Sequence, residues 1–340
     1  MIIVAPGAGR RFPIFSSQRP ELSVHGRAEL MLLGAILVWS LNFSVAKYAL
    51  GRFSPLAYTA PRYALAALIF CGVAIRREGS LRVRRRDVRL VLAAAAVGIW
   101  LNQLAFVYAL RLAGAATVSL LFGTAPILVA VFAHVSRIEH VGARTWLATA
   151  VSSMGVAILV LGSGGGLSGS LGGIILCLVS SATWASYSCA LVPLTRVYSP
   201  YRLSAILTLV GSVPLLASAA LQLWGQDWAG VGIGGWLAFA YALLPSYVLS
   251  NLVWFRTIGL VGAPRAALYI NLEPFLGALF AVLLLSEHVG ALEALGGAVT
   301  AGALILLPRG AGIGKGQASP DAVEPAVDAA PVTSVPGADL

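Results

Sequence analysis

Long apolar stretches separated by short polar segments run along most of this chain. They lie at 29–49, 55–75, 88–109, 113–135, 143–162, 171–191, 202–222, 233–255, 264–285 and 290–308. A helix needs about 20 residues to cross the hydrocarbon core of a bilayer. Barrel strands would instead show short segments of alternating hydrophobicity. The pattern therefore predicts an all-α membrane protein with ten transmembrane helices.

Composition agrees with a membrane protein. The mean hydropathy is +0.87 and only 11% of the residues are charged, which is too little polar surface for a water-soluble domain. The formal net charge of +10 is no sign of a nucleic-acid partner, because most basic residues fall in alternate connections, above all in the run Arg76–Arg89. Basic loops stay on the cytoplasmic side. We expect a multi-pass protein of the inner (plasma) membrane with both termini cytoplasmic.

The chain contains an internal repeat. Glu139-His140-Val141-Gly142-Ala143 recurs word for word as Glu287-His288-Val289-Gly290-Ala291, 148 positions later. Each copy belongs to a half with five predicted helices. Because five is odd, the second half enters the membrane from the opposite side, and the sequence predicts two inverted five-helix repeats, an arrangement that many alternating-access transporters use.

The domain boundaries follow from these stretches. Residues 1–28 are predicted to be a cytoplasmic tail, 29–162 the first five-helix repeat, and 163–170 a periplasmic Gly/Ser linker. Residues 171–308 form the second repeat, and 309–340, rich in Ala, Pro and Gly, are expected to be a disordered cytoplasmic tail.

Several motifs carry a family resemblance. They are Trp39-Ser40-Leu41-Asn42-Phe43 followed by Lys47, Arg62-Tyr63, and a proline followed by a helix-end glutamate in the fourth and ninth predicted helices. With ten helices in two inverted halves, the chain resembles the EamA-type branch of the drug/metabolite transporter superfamily. The resemblance implies export or exchange of small metabolites, often amino acids or their relatives, through a central cavity.

Polar and aromatic positions on four predicted helices are candidates for a binding site. Tyr247 and Asn251 share one face of the eighth helix, and Asn102 and Gln103 occupy the equivalent face of the third. Trp39 and Asn42 in the first helix correspond to Trp184 and Tyr187 in the sixth. The predicted substrate-binding set is Trp39, Asn42, Asn102, Gln103, Trp184, Tyr187, Tyr247, Asn251, Tyr269 and Asn271. The alternative for each is packing or hydrogen bonding between helices.

Two charged residues inside predicted spans are also candidates. Glu273 lies near the middle of the ninth span and its repeat partner is Ala125, so the charge is not part of the duplicated framework. Ionisable groups inside a membrane mark transport pathways and proton relays, which makes Glu273 the candidate coupling group. The alternative is a bond to backbone groups freed by Pro274. Arg62 is a candidate anion contact or a side chain reaching the headgroups.

The remaining polar motifs have structural explanations. Glu139 and Glu287 are expected to accept hydrogen bonds from the first amides of the fifth and tenth helices. Neither the histidines nor Cys71, Cys177 and Cys189 show metal-ligand spacing, so the sequence predicts no metal and no cofactor.

The function predicted is that of a secondary transporter of a small organic metabolite, with the lipid bilayer and protons as further partners. An enzyme is not expected, because the chain has neither a Gly-x-Ser-x-Gly nor a His-Glu-x-x-His motif. A membrane-embedded sensor or lipid-binding scaffold without transport activity is the alternative. Cargo, direction of transport, coupling ion and oligomeric state stay open at this stage.

Overall fold

The computed structural model describes residues 24–135, 143–162, 171–261 and 272–306. These residues form helices and no β-strand. The helices are α1 (Val24–Ala49), α2 (Pro55–Glu78), α3 (Arg85–Leu112), α4 (Ala115–Phe122), α5 (Ala125–Val135), α6 (Ala143–Gly162), α7 (Leu171–Thr195), α8 (Pro200–Gly225), α9 (232–261), α10 (Glu273–Leu285) and α11 (Ala291–Leu306).

Within the described residues, six helices are long and apolar enough to cross a membrane. They are α1, α2, α3, α7, α8 and α9. The described part of the chain is all-helical and belongs to a multi-pass membrane protein, and the exact number of ten spans is not confirmed. Residues 24–28 of the predicted N-terminal tail belong to α1. Residues 1–23, the linker 163–170, the first part of the ninth predicted span and the C-terminal tail 309–340 lie outside the described residues.

The fourth predicted span, 113–135, is not one helix. α4 ends at Phe122 and α5 begins at Ala125, with Gly123 and Thr124 between them. The amide of Thr124 donates to the carbonyl of Leu121 at 3.0 Å, and its hydroxyl bonds the same carbonyl at 2.7 Å. Pro126 has no amide hydrogen to continue the helical ladder. The helix is interrupted because Thr124 bonds a carbonyl three residues back, and because Pro126 cannot donate a backbone hydrogen bond.

Helix contacts follow the sequence repeat. α2 packs along α8, and α6 packs along α11, so each pair joins equivalent helices of the two halves. α1 packs on α9 and α10, as α7 packs on α3 and α5. Gly155 permits the close approach of α6 to α11, because a Cβ there would lie 2.5 Å from the Thr300 hydroxyl. Small residues at helix contacts are the usual device for close packing in membranes.

Side chains fasten the α2–α8 pair at both ends. The amides of Ser54 and Leu56, at the start of α2, donate to Gln226 and Gln222 at 2.7 and 2.8 Å. These bonds satisfy amides that have no partner within the helix. At the other end, Arg202 binds Glu78 with two contacts of 3.0 Å.

The predicted role of Glu287 was wrong in one respect. Its carboxylate accepts hydrogen bonds from the amides of Ala115 and Ala116, both at 2.9 Å, and so caps α4 of the first half rather than the tenth predicted helix. Glu293 instead accepts the amide of Gly290 ahead of α11, at 2.9 Å. The sequence places Glu287 beside its own next helix, whereas the fold brings α4 to it. Glu139 lies outside the described residues.

Two helices carry π-helical segments at equivalent positions of the repeat. In α3 the segment is Ala96–Leu101, and in α9 it is Ala242–Leu249. In each case the amide of the next residue, Asn102 or Ser250, bonds a carbonyl five positions back. Such segments often mark functional sites in helices. Both segments are immediately followed by the polar faces that the sequence singled out.

Candidate functional site

A cavity of about 160 Å³ lies between the two halves. It is bounded by α1, α2, α3, α4, α7, α9 and α10. The lining residues are Trp39, Asn42, Phe43, Arg62, Tyr63, Asn102, Gln103, Phe106, Phe122, Trp184, Ala242, Ser246, Tyr247 and Glu273. A cavity of about 150 Å³ can hold a benzene-sized molecule, so this one has the dimensions of a small organic ligand.

Aromatic rings form much of the cavity wall. Phe43, Phe106 and Phe122 contact one another edge to face, with ring centroids 5.6 to 5.9 Å apart. On another wall, Tyr63 and Tyr247 have centroids 4.5 Å apart. Edge-to-face and offset arrangements are favourable for aromatic pairs, so these contacts hold the rings in position. The cavity can therefore receive an apolar body.

The π-helical segment of α9 supplies a backbone acceptor to α1. The indole nitrogen of Trp39 donates to the carbonyl oxygen of Ser246 at 2.8 Å. Within α9, the side-chain amide of Asn251 donates to the carbonyl of Tyr247, and the hydroxyl of Ser250 donates to the carbonyl of Pro245 at 2.8 Å. The segment thus presents Ser246 and Tyr247 to the cavity while side chains satisfy its carbonyls.

Asn102 is held by structural hydrogen bonds. Its amide nitrogen donates to the Ser180 carbonyl at 2.8 Å and to the Thr183 hydroxyl at 3.1 Å. Its amide oxygen accepts from Gln103 at 2.9 Å. These bonds join α3 to α7. Asn102 therefore has less hydrogen-bonding capacity left for a ligand than its position in the cavity suggests.

Asn42 differs from Asn102 in this respect. Its amide oxygen is buried and has no hydrogen-bond partner among the described residues. An unpaired buried acceptor carries a desolvation cost. Asn42 can therefore accept a hydrogen bond from a ligand in the cavity.

Arg62 is buried, with 4% of its surface exposed. Its guanidinium lies 4.6 Å from the centroid of the Tyr58 ring and 5.5 Å from that of Tyr63. The side chain does not reach for the headgroups, which was one of the two interpretations of the sequence.

Glu273 stands in the first turn of α10 and lines the same cavity as Arg62. It is the one acidic residue of the lining. The ion pairs in the described part of the chain join Arg86 to Asp87 and Arg202 to Glu78, and neither involves Glu273. The cavity thus contains one carboxyl group and one guanidinium that do not pair with each other.

The structure does not bring all predicted site residues to the cavity. Tyr187 packs on the backbone of α3, where a Cβ at Gly98 would lie 2.1 Å from its ring, and it is not among the lining residues. Asn251 bonds within its own helix instead. Tyr269 and Asn271 lie outside the described residues.

The predicted substrate-binding set leaves out other lining residues, although Phe43 and Tyr63 belong to the family motifs and Phe106 shares the candidate face of the third predicted helix. They are Phe43, Tyr63, Phe106, Phe122, Ala242 and Ser246. Most are apolar or aromatic and cannot be told from packing residues by type. For Ser246 a signal existed, because it follows Pro245 inside a helix. A proline there removes a ladder hydrogen bond and disturbs the helix around it.

Metal-binding groups are not gathered near this site. Among the residues that the structure describes, no three of His, Cys, Asp and Glu lie close enough to hold a metal ion. The aromatic, amide and guanidinium groups suit an organic ligand instead.

A model of the EamA-like transporter family matches the chain twice, at residues 26–161 and 171–308. The two matched segments correspond to the two halves of the sequence repeat.

Curated proteins with similar sequences are named as transporters. An uncharacterized transporter of Bacillus subtilis, YyaM, is 26% identical over 300 residues, which cover 84% of this chain and 96% of that protein. The S-adenosylmethionine/S-adenosylhomocysteine transporter of Chlamydia trachomatis is 25% identical over 274 residues, covering 76% and 81%. The uncharacterized inner membrane transporter YedA of Escherichia coli is 25% identical over 300 residues, covering 84% and 92%.

A protein of known crystal structure shares the fold. It superposes with a TM-score of 0.57 at 20% sequence identity, covering 82% of this chain and 96% of the other.

Proposed function

Because the chain belongs to the EamA-like transporter family, we propose that it is a secondary transporter that exports or exchanges a small organic metabolite, such as an amino acid or a related compound. The observation that carries this proposal is the cavity between the halves, since helices of both halves supply its lining. Transporters built from two repeats bind cargo near the membrane midplane at the repeat interface. The family names and the absence of a predicted catalytic motif favour a transporter over an enzyme.

The proposed mechanism is alternating access. The two halves would be inverted repeats, with the basic run Arg76–Arg89 in the cytoplasm and both termini on that side. A cysteine introduced at Ser80 should then react with an impermeant reagent only from the cytoplasmic side, and one at Ala229 only from outside. The reverse labelling would overturn the orientation.

We assign the cargo contacts to the cavity. Aromatic contacts would come from Trp39, Trp184 and Tyr247, and polar contacts from Asn42 and Gln103. Asn102 would act by holding α3 against α7, because its amide bonds Ser180 and Thr183.

Glu273 is the proposed coupling group. It is the one acidic side chain of the cavity lining, and a carboxyl group that meets water from either side in turn can carry a proton through the cycle. Cargo accumulation would then draw on a pH gradient.

The function is tested by profiling metabolites in the medium of cells that overproduce the protein, against cells with an empty vector. Any compound that accumulates is then tested for uptake and exchange in proteoliposomes. A transporter should move at least one such compound in both assays. If no compound moves in either assay, the protein is better described as a membrane-embedded sensor or lipid-binding scaffold.

A further inference from the structure

The guanidinium of Arg62 lies in the protein interior without an anionic partner. Its Nε is buried and has no hydrogen-bond partner among the described residues. One Nη contacts the Tyr58 hydroxyl at 3.4 Å, which is long for a hydrogen bond. Removing an uncompensated charge from water is costly, so buried arginines are normally paired.

The tyrosine rings compensate this charge only in part. The interaction free energy of a cation with an aromatic face is smaller than that with a carboxylate bound through two parallel hydrogen bonds. What the rings of Tyr58 and Tyr63 do provide is position, because they flank the guanidinium at 4.6 and 5.5 Å. One Nη of the guanidinium contacts Tyr58, and its Nε has no partner among the described residues.

No described acidic group is within ion-pair distance of Arg62. Glu273 shares the cavity, but the two residues form no ion pair. An anion that neutralises Arg62 must therefore come from outside the described protein framework.

We propose that the cargo is a small organic compound with one ionised carboxylate, which binds the guanidinium of Arg62. The inference rests on the proposed transport function and names the class of its substrate. A single carboxylate suits the site better than a doubly charged phosphate, because the lining holds one cation and also one acidic group, which would repel extra negative charge. Tyr58 and Tyr63 act as positioning residues for the guanidinium.

The rest of the cavity defines the rest of the cargo. Phe43, Phe106 and Phe122 form an apolar wall, and the volume of about 160 Å³ limits the cargo to a compact body. The unpartnered oxygen of Asn42 calls for a donor on the cargo. The cargo class is thus a carboxylic acid with an apolar body and an N–H or O–H group.

The charge of the cargo is tested first by the exported compounds themselves. Each compound that accumulates in the medium is classified by whether it carries an ionised acid group at neutral pH. The proposal expects every one to carry an ionised acid group. Export of a compound without an ionised acid group would refute the carboxylate inference and leave the transport function standing, whereas export of no compound would remove both.

A second experiment tests Arg62 with defined probes. The melting temperature of the purified full-length protein is measured with leucine, 4-methylpentanoate, leucinamide and 4-methylpentanamide, and with phenylalanine and its carboxamide. The acids should stabilise the wild type, and the carboxamides of the same shape should not. Arg62→Gln should weaken acid binding by roughly 10- to 100-fold, the usual scale for a hydrogen-bonded charge. Arg62→Lys should retain part of the response.

Arg52→Gln is the matched control, because the Arg52 guanidinium also lies over a tyrosine ring, 5.2 Å from that of Tyr48, but outside the cavity. It should respond to acids like the wild type. The ligand-free Arg62→Gln protein should melt no lower than the wild type, since it loses an unpaired buried charge. A lower ligand-free melting temperature with an unchanged acid response would make Arg62 a packing residue. The proposal would likewise be overturned if acids and carboxamides stabilised the protein equally, or if none of the acids stabilised it.

Discussion

The indole nitrogen of Trp39 lies 2.8 Å from the carbonyl oxygen of Ser246. Trp39 belongs to α1 in the first half of the chain and Ser246 to the π-helical segment of α9 in the second. Both residues line the cavity. One hydrogen bond therefore ties the two halves together at the site where cargo is proposed to bind.

Removing this bond should impair transport more than folding. Trp39→Phe keeps a ring in the cavity but leaves the Ser246 carbonyl without its donor. We expect the transport rate to fall by roughly 3- to 30-fold, which corresponds to the 0.6–2 kcal/mol typical of hydrogen bonds between membrane helices. Trp184→Phe, at the equivalent position of the second half, is the control and should have a smaller effect. A Trp39→Phe protein with wild-type exchange rates in proteoliposomes would mean that the bond has no role in the cycle.

Asn42 and Asn102 should respond differently to the same substitution. Asn42→Ala removes an amide oxygen that is unpartnered in the described structure, so abundance should stay near the wild-type level while the apparent affinity for cargo falls. Asn102→Ala removes hydrogen bonds to Ser180 and Thr183 and should lower the free energy of unfolding by about 1–3 kcal/mol. Melting curves and transport kinetics of both variants check this contrast. It fails if Asn42→Ala is the less stable of the two.

The contact of Glu287 with α4 gives two variants that should behave alike. Glu287→Gln removes the charge that binds the amides of Ala115 and Ala116, and Gly114→Ala places a Cβ 2.8 Å from the same carboxylate. Both should lower the melting temperature, because hydrogen bonds to a charged group contribute about 1.5–3 kcal/mol. Glu293→Gln, which affects only the amide of Gly290, should have a smaller effect. If Glu287→Gln and Gly114→Ala shifted the melting temperature in opposite directions, the effect of Gly114→Ala could not be explained by the Glu287 contact.

Glu273→Gln tests the coupling role. The amide keeps the shape and hydrogen-bonding capacity of the carboxyl group but cannot carry a proton. We expect the variant to fold and to exchange cargo across proteoliposomes, yet to lose accumulation driven by a pH gradient. If Glu273 instead only supports the helix beside Pro274, Glu273→Gln should change transport very little. Gradient-driven uptake at the wild-type rate would assign Glu273 to the scaffold.

Much of the architecture follows from local pattern. The apolar runs predicted ten membrane helices, of which six are found at membrane length among the described residues. The Glu-His-Val-Gly-Ala repeat predicted two similar halves, and the two segments matched by the family confirm this. Residues such as Trp39, Gln103 and Tyr247 could be found because polar or aromatic groups in apolar helices stand out.

What the sequence did not predict depends on contacts between distant segments. The cap that Glu287 forms on α4 joins residues more than 170 positions apart, and no local signal links them. Tyr187 was expected in the cavity because of its repeat partner Asn42, but the absent side chain of Gly98 lets its ring pack on α3. The π-helical segments shift the faces of α3 and α9, which a regular helical period cannot foresee.

Access to the cavity from both sides of the membrane is the central claim, and Gln103 is the place to measure it. Gln103 is partly exposed and lines the cavity. A Gln103→Cys variant, with Cys71, Cys177 and Cys189 replaced by Ala, is labelled with an impermeant maleimide in right-side-out and inside-out vesicles. Alternating access predicts labelling in both preparations, with cargo slowing it in each. Labelling from one side only, with or without cargo, would contradict the account.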